Sequence, residues 1–239
     1  MIQETRFVDW LSAIGSIIGA VGTVGAVIVA LFQDQLRDWL FPASAVLELN
    51  DSLKELTKFG QQKNSEMSEA LVYMVHLRVR NTSGRRSLHH CSVVLEELSL
   101  QSSGEGWRTQ TLPVPLNFRW APFEMRPLEI DLRAGETATV NLFWLYELST
   151  DWLLDTKKPR KAIVKPVLAA EPNNFAGNLT SAGTIRYHIS LRADELGEPV
   201  RAVFEVEWNG HWPETDESFD TKLRISRLSS ASMIVRKQS

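Results

Sequence analysis

Two rhythms of hydrophobic and polar positions divide the chain. Between Trp10 and Phe32, "WLSAIGSIIGAVGTVGAVIVALF" runs for 23 residues without an ionisable side chain. At a rise of about 1.5 Å per residue, a helix of that length reaches roughly 34 Å, enough to cross a hydrocarbon layer of about 30 Å. A helix buried in a water-soluble protein rarely stays apolar on every face over such a length. A cleaved signal peptide calls for a positive amino-terminal region and an apolar stretch of about 7 to 15 residues. Here Glu4, Arg6 and Asp9 leave no positive excess, and the stretch is longer. The pattern therefore predicts a retained transmembrane helix. Trp10 at one end, and Trp39 and Phe41 past the other, stand where aromatic rings favour the membrane interface, and Pro42 halts the helix.

After Pro42 the period shortens to two. "SAVLELN" alternates, and "LVYMVHLRVRN" does so more strongly, with Val75, Leu77 and Val79 on one face and His76, Arg78 and Arg80 on the other. The intervening "DSLKELTKFGQQKNSEMSEA" is polar with helical spacing only at Leu53 and Leu56, and predicts a short helix or a long loop. Further alternating runs begin at His89, Pro127, Glu136, Lys161, Thr184 and Pro199, each set off by turn-forming residues. In all, the pattern predicts about eight strands. The last two are joined by "DELGE", a connection of hairpin length. Many short strands and few helices predict a mainly β protein in which two sheets enclose one core.

The pairing of "VHLRVRNTSGRRSLHHCSVVLEEL" with the later "LRAGETATVNLFW" resembles the strand pairs of bacterial immunoglobulin-like sandwich domains, over roughly residues 43 to 228. The layout as a whole is similar to bacterial membrane-anchored proteins with one N-terminal helix and such a domain. The resemblance implies an immunoglobulin-like β-sandwich preceded by a single N-terminal transmembrane α-helix, and it implies no activity. The paired cysteines of antibody-type domains are missing. The expected organisation is a helix with its interfacial flank over 1–42, a sandwich over 43–228 and a flexible tail over 229–239.

The glycines of the apolar run fit a lipid setting. In water a mid-helix glycine costs about 1 kcal/mol relative to alanine, but in hydrocarbon the helix cannot open without exposing backbone groups that nothing satisfies. At about 100° per residue, Ser12, Gly15, Gly19, Gly22, Ala26 and Ala30 fall on one arc of the helix. Such a small-residue seam lets backbones approach closely, and it predicts association with a second copy or another membrane helix.

Composition narrows the function. With 26 Lys and Arg against 29 Asp and Glu, the net charge of −3 gives no basic field for nucleic acid. The one basic run, Lys157–Lys161, reads as a solvated loop or a contact for acidic lipid or an acidic partner. Cys91 is the only cysteine, so no internal disulfide and no multi-cysteine zinc or redox motif can form. His89, His90 and Cys91 adjoin, but in a strand only His89 and Cys91 share a face, and a third metal ligand would have to come from His76, His188 or His211. No nucleophile elbow, zincin motif or phosphate loop is present, so neither catalysis nor a metal or other cofactor is expected.

The aromatic residues Trp120, Phe123, Trp208 and Trp212 lie in the loop-like stretches "NFRWAPFEM" and "WNGHWPE". Exposed there they would anchor a partner; folded back they would seal the ends of the sandwich. The sequence thus predicts a single-pass, non-enzymatic binding or sensor module that meets an unidentified protein or ligand, as in a bacterial stress or defence system. An oligomeric pore and an envelope carbohydrate-binding domain are the alternatives. Arg37, Lys54 and Lys58 after the helix, against Arg6 before it, bias the sandwich toward the cytoplasm.

Overall fold

The computed structural model describes residues 2–33, 40–63, 66–122, 127–147, 162–213 and 216–228. The chain separates into two compact units, Met1–Pro42 and Ala43–Ser239. Trp39, Phe123, Trp152, the basic run at 157–161 and the tail at 229–239 lie outside the described residues.

In the first unit, α1 (Ile2–Leu31) is one continuous helix. Its segment Ile14–Leu31 is long and apolar enough to cross a membrane, and no residue of that segment is buried. The Thr23 hydroxyl donates to the Gly19 carbonyl at 2.8 Å. This bond to the preceding turn satisfies the polar group within the helix itself, as an apolar surrounding requires.

The second unit is mainly β. Among the described residues it has eleven strands in two sheets, all paired antiparallel. The first sheet runs β1 (Ala45–Lys63), β2 (Glu66–Asn81), β7 (Thr137–Glu147), with β5 (Arg119–Trp120) and β8 (Ala162–Pro166) end to end along the far side of β7. The second runs β11 (Leu223–Leu228), β10 (Val200–Trp208), β9 (Gly183–Arg192), β3 (Leu88–Ser102), with β4 (Arg108–Asn117) and β6 (Ile130–Leu132) along the far side of β3. A short helix, α2 (Asp216–Lys222), precedes β11.

Alternation places the core. Val75, Leu77 and Val79 are buried and Arg80 is exposed, as the pattern predicts, but His76 is buried as well. A register shift between Val75 and His76 in the β2–β7 pairing breaks the strict alternation there. One hydrophobic cluster joins both sheets, with Leu47, Leu77 and Val140 from the first and Leu95, Ile189 and Phe204 from the second. Phe143 of β7 stacks on Tyr187 of β9 with centroids 6.2 Å apart, and Arg227 of β11 donates to the Leu47 carbonyl of β1 at 2.9 Å.

The stretch predicted as helix or loop is a hairpin. Residues Lys54–Lys63 pair with Glu66–Val75 in continuous register. Spacing at two leucines is too little to nucleate a helix against a paired strand. At the other end of β2, Asn81 is fully buried. Its side-chain amide donates to the Arg86 and Leu132 carbonyls at 2.8 and 3.0 Å and its oxygen accepts from the Ser83 N–H at 2.9 Å. An amide with both donor and acceptor capacity is what this corner needs.

Strand β4 escaped the pattern because Pro113 and Pro115 interrupt it. Between the pairs Leu95↔Leu116 and Glu97↔Thr111 it carries residues 112–115 against Glu96 alone. The prolines therefore sit in a bulge of an edge strand, where no ladder donor is missed.

Candidate functional site

The predicted site residues have three different fates. On α1, Gly15, Gly19, Gly22, Ala26 and Ala30 are helical and none is buried, while the side chain of Ser12 is outside the described set. A Cβ built at Gly15, Gly19 or Gly22 meets nothing within 4 Å. A side chain at these positions would thus meet no neighbour among the described residues.

The aromatic residues are not surface anchors. Trp120, Trp208 and Trp212 are only 1, 3 and 4% exposed, which corrects the reading of them as partner contacts. The loops fold back and spend the indole N–H groups internally. Trp120 donates to the Leu128 carbonyl and Trp208 to the His211 carbonyl, both at 3.1 Å. The "WNGHW" turn is held by the Asn209 side chain, which accepts from the His211 N–H at 3.0 Å, and by Lys222, whose ammonium donates to the Trp212 carbonyl at 3.0 Å. Trp212 then packs on Tyr73, with Phe219 of α2 on the same ring. At 1–4% exposure, these three indoles leave no face for a sugar ring.

Among the described residues no three His, Cys, Asp or Glu side chains gather as a ligand set. Cys91 is fully buried. Burial, reinforced by the negative charges of Glu195 and Asp131, pushes its thiol up to about 12. Burial thus favours the neutral thiol at neutral pH.

His89 and His90 instead engage carboxylates. The β3–β6 ladder pairs Leu88 with Leu132 and Cys91 with Ile130, leaving both histidines in a bulge. Glu195, in the turn between β9 and β10, accepts from the His89 backbone N–H at 2.8 Å and from the His89 ring Nδ1. Asp131 accepts from the His90 N–H at 3.1 Å, and the Asp194 carboxylate lies 2.7 Å from His90 Nδ1. The Asp194 N–H donates in return to the His89 carbonyl at 3.2 Å. His90 has φ +50°, a left-handed conformation that a side chain with a Cβ rarely takes. Sequence adjacency singled out the histidines, but their partners lie 41 to 106 residues away and carry no local signal.

Next to this cluster, the outward surface of the second sheet is laced with ion pairs. Glu96 accepts from Ser190 at 2.7 Å and Arg192 at 3.2 Å, with Arg201 at 3.5 Å. Burial raises the Glu96 carboxyl, but those bonds and the two arginines outweigh it and hold the group below its ordinary value. Arg186 pairs with Glu205 at 2.6 Å and lies 3.7 Å over the Trp107 ring. Opposite charges cancel locally, so the face offers no field for a polyanion.

At one end of the same sheet an open cavity of about 510 Å³ lies between the β3–β4 turn, the start of β9, and α2 with β11. Gln101, Thr184, Glu207, Asn209, Lys222 and Arg224 contribute polar groups to its wall. Gly183 is required there, since a Cβ would come within 2.5 Å of the Gln101 carbonyl. No protein-family model, curated protein or solved structure matches the chain.

Proposed function

We propose that the chain is a single-pass membrane protein whose two sheets pack as an immunoglobulin-like sandwich and serve as a non-enzymatic binding module. One observation carries this reading. Eight large aliphatic side chains between Ile17 and Leu31 are exposed, Ile18 and Val21 each to 67%. At about 1.5–3 kcal/mol for each such side chain fully removed from water, leaving them solvated forfeits an amount comparable with the whole stability of an ordinary domain, about 5–15 kcal/mol. A bilayer removes that cost, and the unit beginning at Ala43 has a core of its own.

The module's partner is a protein segment or small polar ligand, and the wall of the 510 Å³ cavity supports hydrogen-bonded recognition there, with Glu207 and Arg224 of opposite charge in register across β10 and β11. The helix associates with a second copy or another membrane helix through its small-residue seam. A wet pore is less well supported, because Thr23 turns its hydroxyl back onto the Gly19 carbonyl. The charge bias after the helix favours a cytoplasmic sandwich.

Cell fractionation tests the anchor. The full chain is expected in the membrane pellet after alkaline and high-salt washing, with its amino terminus intact, and a chain starting at Ala43 in the supernatant. Protease added to intact spheroplasts is expected to spare the sandwich. Full-length protein in the soluble fraction without detergent, or a mature form lacking α1, refutes the anchor; digestion in spheroplasts reverses the side.

A further inference from the structure

We propose that His89 and His90 form a proton-operated clip. When charged, the two imidazoles hold the β9–β10 turn and β6 against the start of β3; when neutral, they let that corner open. The inference stands apart from membrane anchoring and from the cavity.

The geometry that carries it is the bulge. Because the ladder skips from Leu88 to Cys91, the His89 and His90 backbone donors have no strand partner and are taken by Glu195 and Asp131. The same two residues reach carboxylates again through their rings, on Glu195 and Asp194. Three segments, namely β3, β6 and the β9–β10 turn, thus meet at two residues, the turn through both rings and β6 through Asp131 on the His90 backbone N–H. The positive φ of His90 is an uncommon backbone conformation at the centre of those bonds.

The surroundings make the corner sensitive to protons. The charged groups acting on His89 are Glu195 of the turn, Asp131 of β6 and the neighbouring His90; those acting on His90 are Asp194 of the turn, Asp131, and Glu129 just before β6. The buried Cys91 thiol, on β3 itself, stays neutral. With both imidazoles neutral, the carboxylates of Glu195, Asp194, Asp131 and Glu129 lose the positive charge that the two rings supply. With both protonated, two positive charges sit between them.

The direction follows. Hydrogen bonding and then the charge of Glu195 raise His89 above 6.5, and the same effects of Asp194 raise His90. A group whose value is raised on folding stabilises fully below its unfolded value, and that stabilisation is lost as pH climbs through the folded one. Burial works against ionisation of Glu195, but its bonds to His89 outweigh this and hold it below 4.5. Its contribution is complete above 4.5 and fades only as pH falls through the lowered value. The clip is therefore tightest between 4.5 and 6.5 and loosens toward alkaline pH.

Cys91, the only cysteine, adjoins the bulge and reports its opening. In the full-length chain in detergent micelles, the rate of its reaction with dithiodipyridine is divided by that of the urea-unfolded chain at the same pH, which removes the thiol's own titration. Between about pH 5.5 and pH 8.5 the ratio is expected to rise about tenfold as local opening becomes easier. Imidazole NMR of the same sample is expected to place both histidine midpoints above 6.5 and coincident with the labelling transition. In His89→Gln combined with His90→Asn, donors are kept, Asn tolerates the positive φ, and nothing titrates; the ratio is expected to be flat. A flat ratio in the wild type, a rise that survives in the double variant, or histidine midpoints at or below 6.5 overturns the proposal. Should the double variant fail to fold, agreement or disagreement of the wild-type NMR and labelling midpoints decides alone.

Discussion

Tyr187 lies in the middle of β9, wholly buried, and its hydroxyl has no hydrogen-bond partner among the described residues. Burial pushes its phenol above its ordinary value, so it is neutral at any working pH. A buried hydroxyl without a partner forfeits about 1–3 kcal/mol of hydration. Tyr187→Phe removes that cost and leaves the ring, with its stack on Phe143, in place. The void left by one oxygen, roughly 10 Å³, costs about 0.2 kcal/mol at about 24 cal/mol per Å³. The net expectation is a gain of about 1–2 kcal/mol, or a rise of about 2 to 8 °C in Tm for a domain of this size. Urea unfolding of a chain starting at Ala43, followed by tryptophan fluorescence, measures it, since Trp120, Trp208 and Trp212 all leave the core on unfolding. A loss of about 1 kcal/mol or more would refute the reasoning, because it would mean that the hydroxyl is bonded, for example to an enclosed water.

Two further outcomes are expected. Trp212→Ala should destabilise the β unit by about 3–5 kcal/mol, as removal of a core indole does; unchanged unfolding with impaired partner binding would restore Trp212 to the surface. Gly19→Leu or Gly22→Leu should reduce crosslinked oligomer in membranes, whereas Val21→Leu and Val24→Leu should not. Since a Cβ at Gly19 or Gly22 meets nothing in the single chain, any loss must come from a second helix, and equal association of all four variants would dismiss the seam.

The sequence shows most clearly what repeats locally. Val75, Leu77 and Val79 declare their face because each stands two residues from the next, and the helix over Ile14–Leu31 is visible in composition alone. Strand β4 is hidden by its prolines and β5 by its two-residue length. The hairpin arm of β1 and β2 is specified by pairing of Lys54–Lys63 with Glu66–Val75, which the polar composition of each arm conceals. The tryptophans mislead for a related reason: whether "WNGHW" projects or folds back depends on Lys222 and Tyr73, residues remote in sequence. The histidine clip combines both cases, a doublet visible at once and carboxylates supplied from afar.

The prolines of β4 have a consequence for life in two dimensions. Domains tethered to one bilayer share a thin layer, where copies collide far more often than in free solution. Any sheet that ends in an open row of amide donors becomes a template for its neighbours. At β4, the last strand beside β3, residues 113 and 115 offer no N–H at all, and the bulge opposite Glu96 bends the strand out of plane. A second molecule's strand would find gaps where it needs bonds. The β4 border of the second sheet is thereby a poor template for a neighbour's strand.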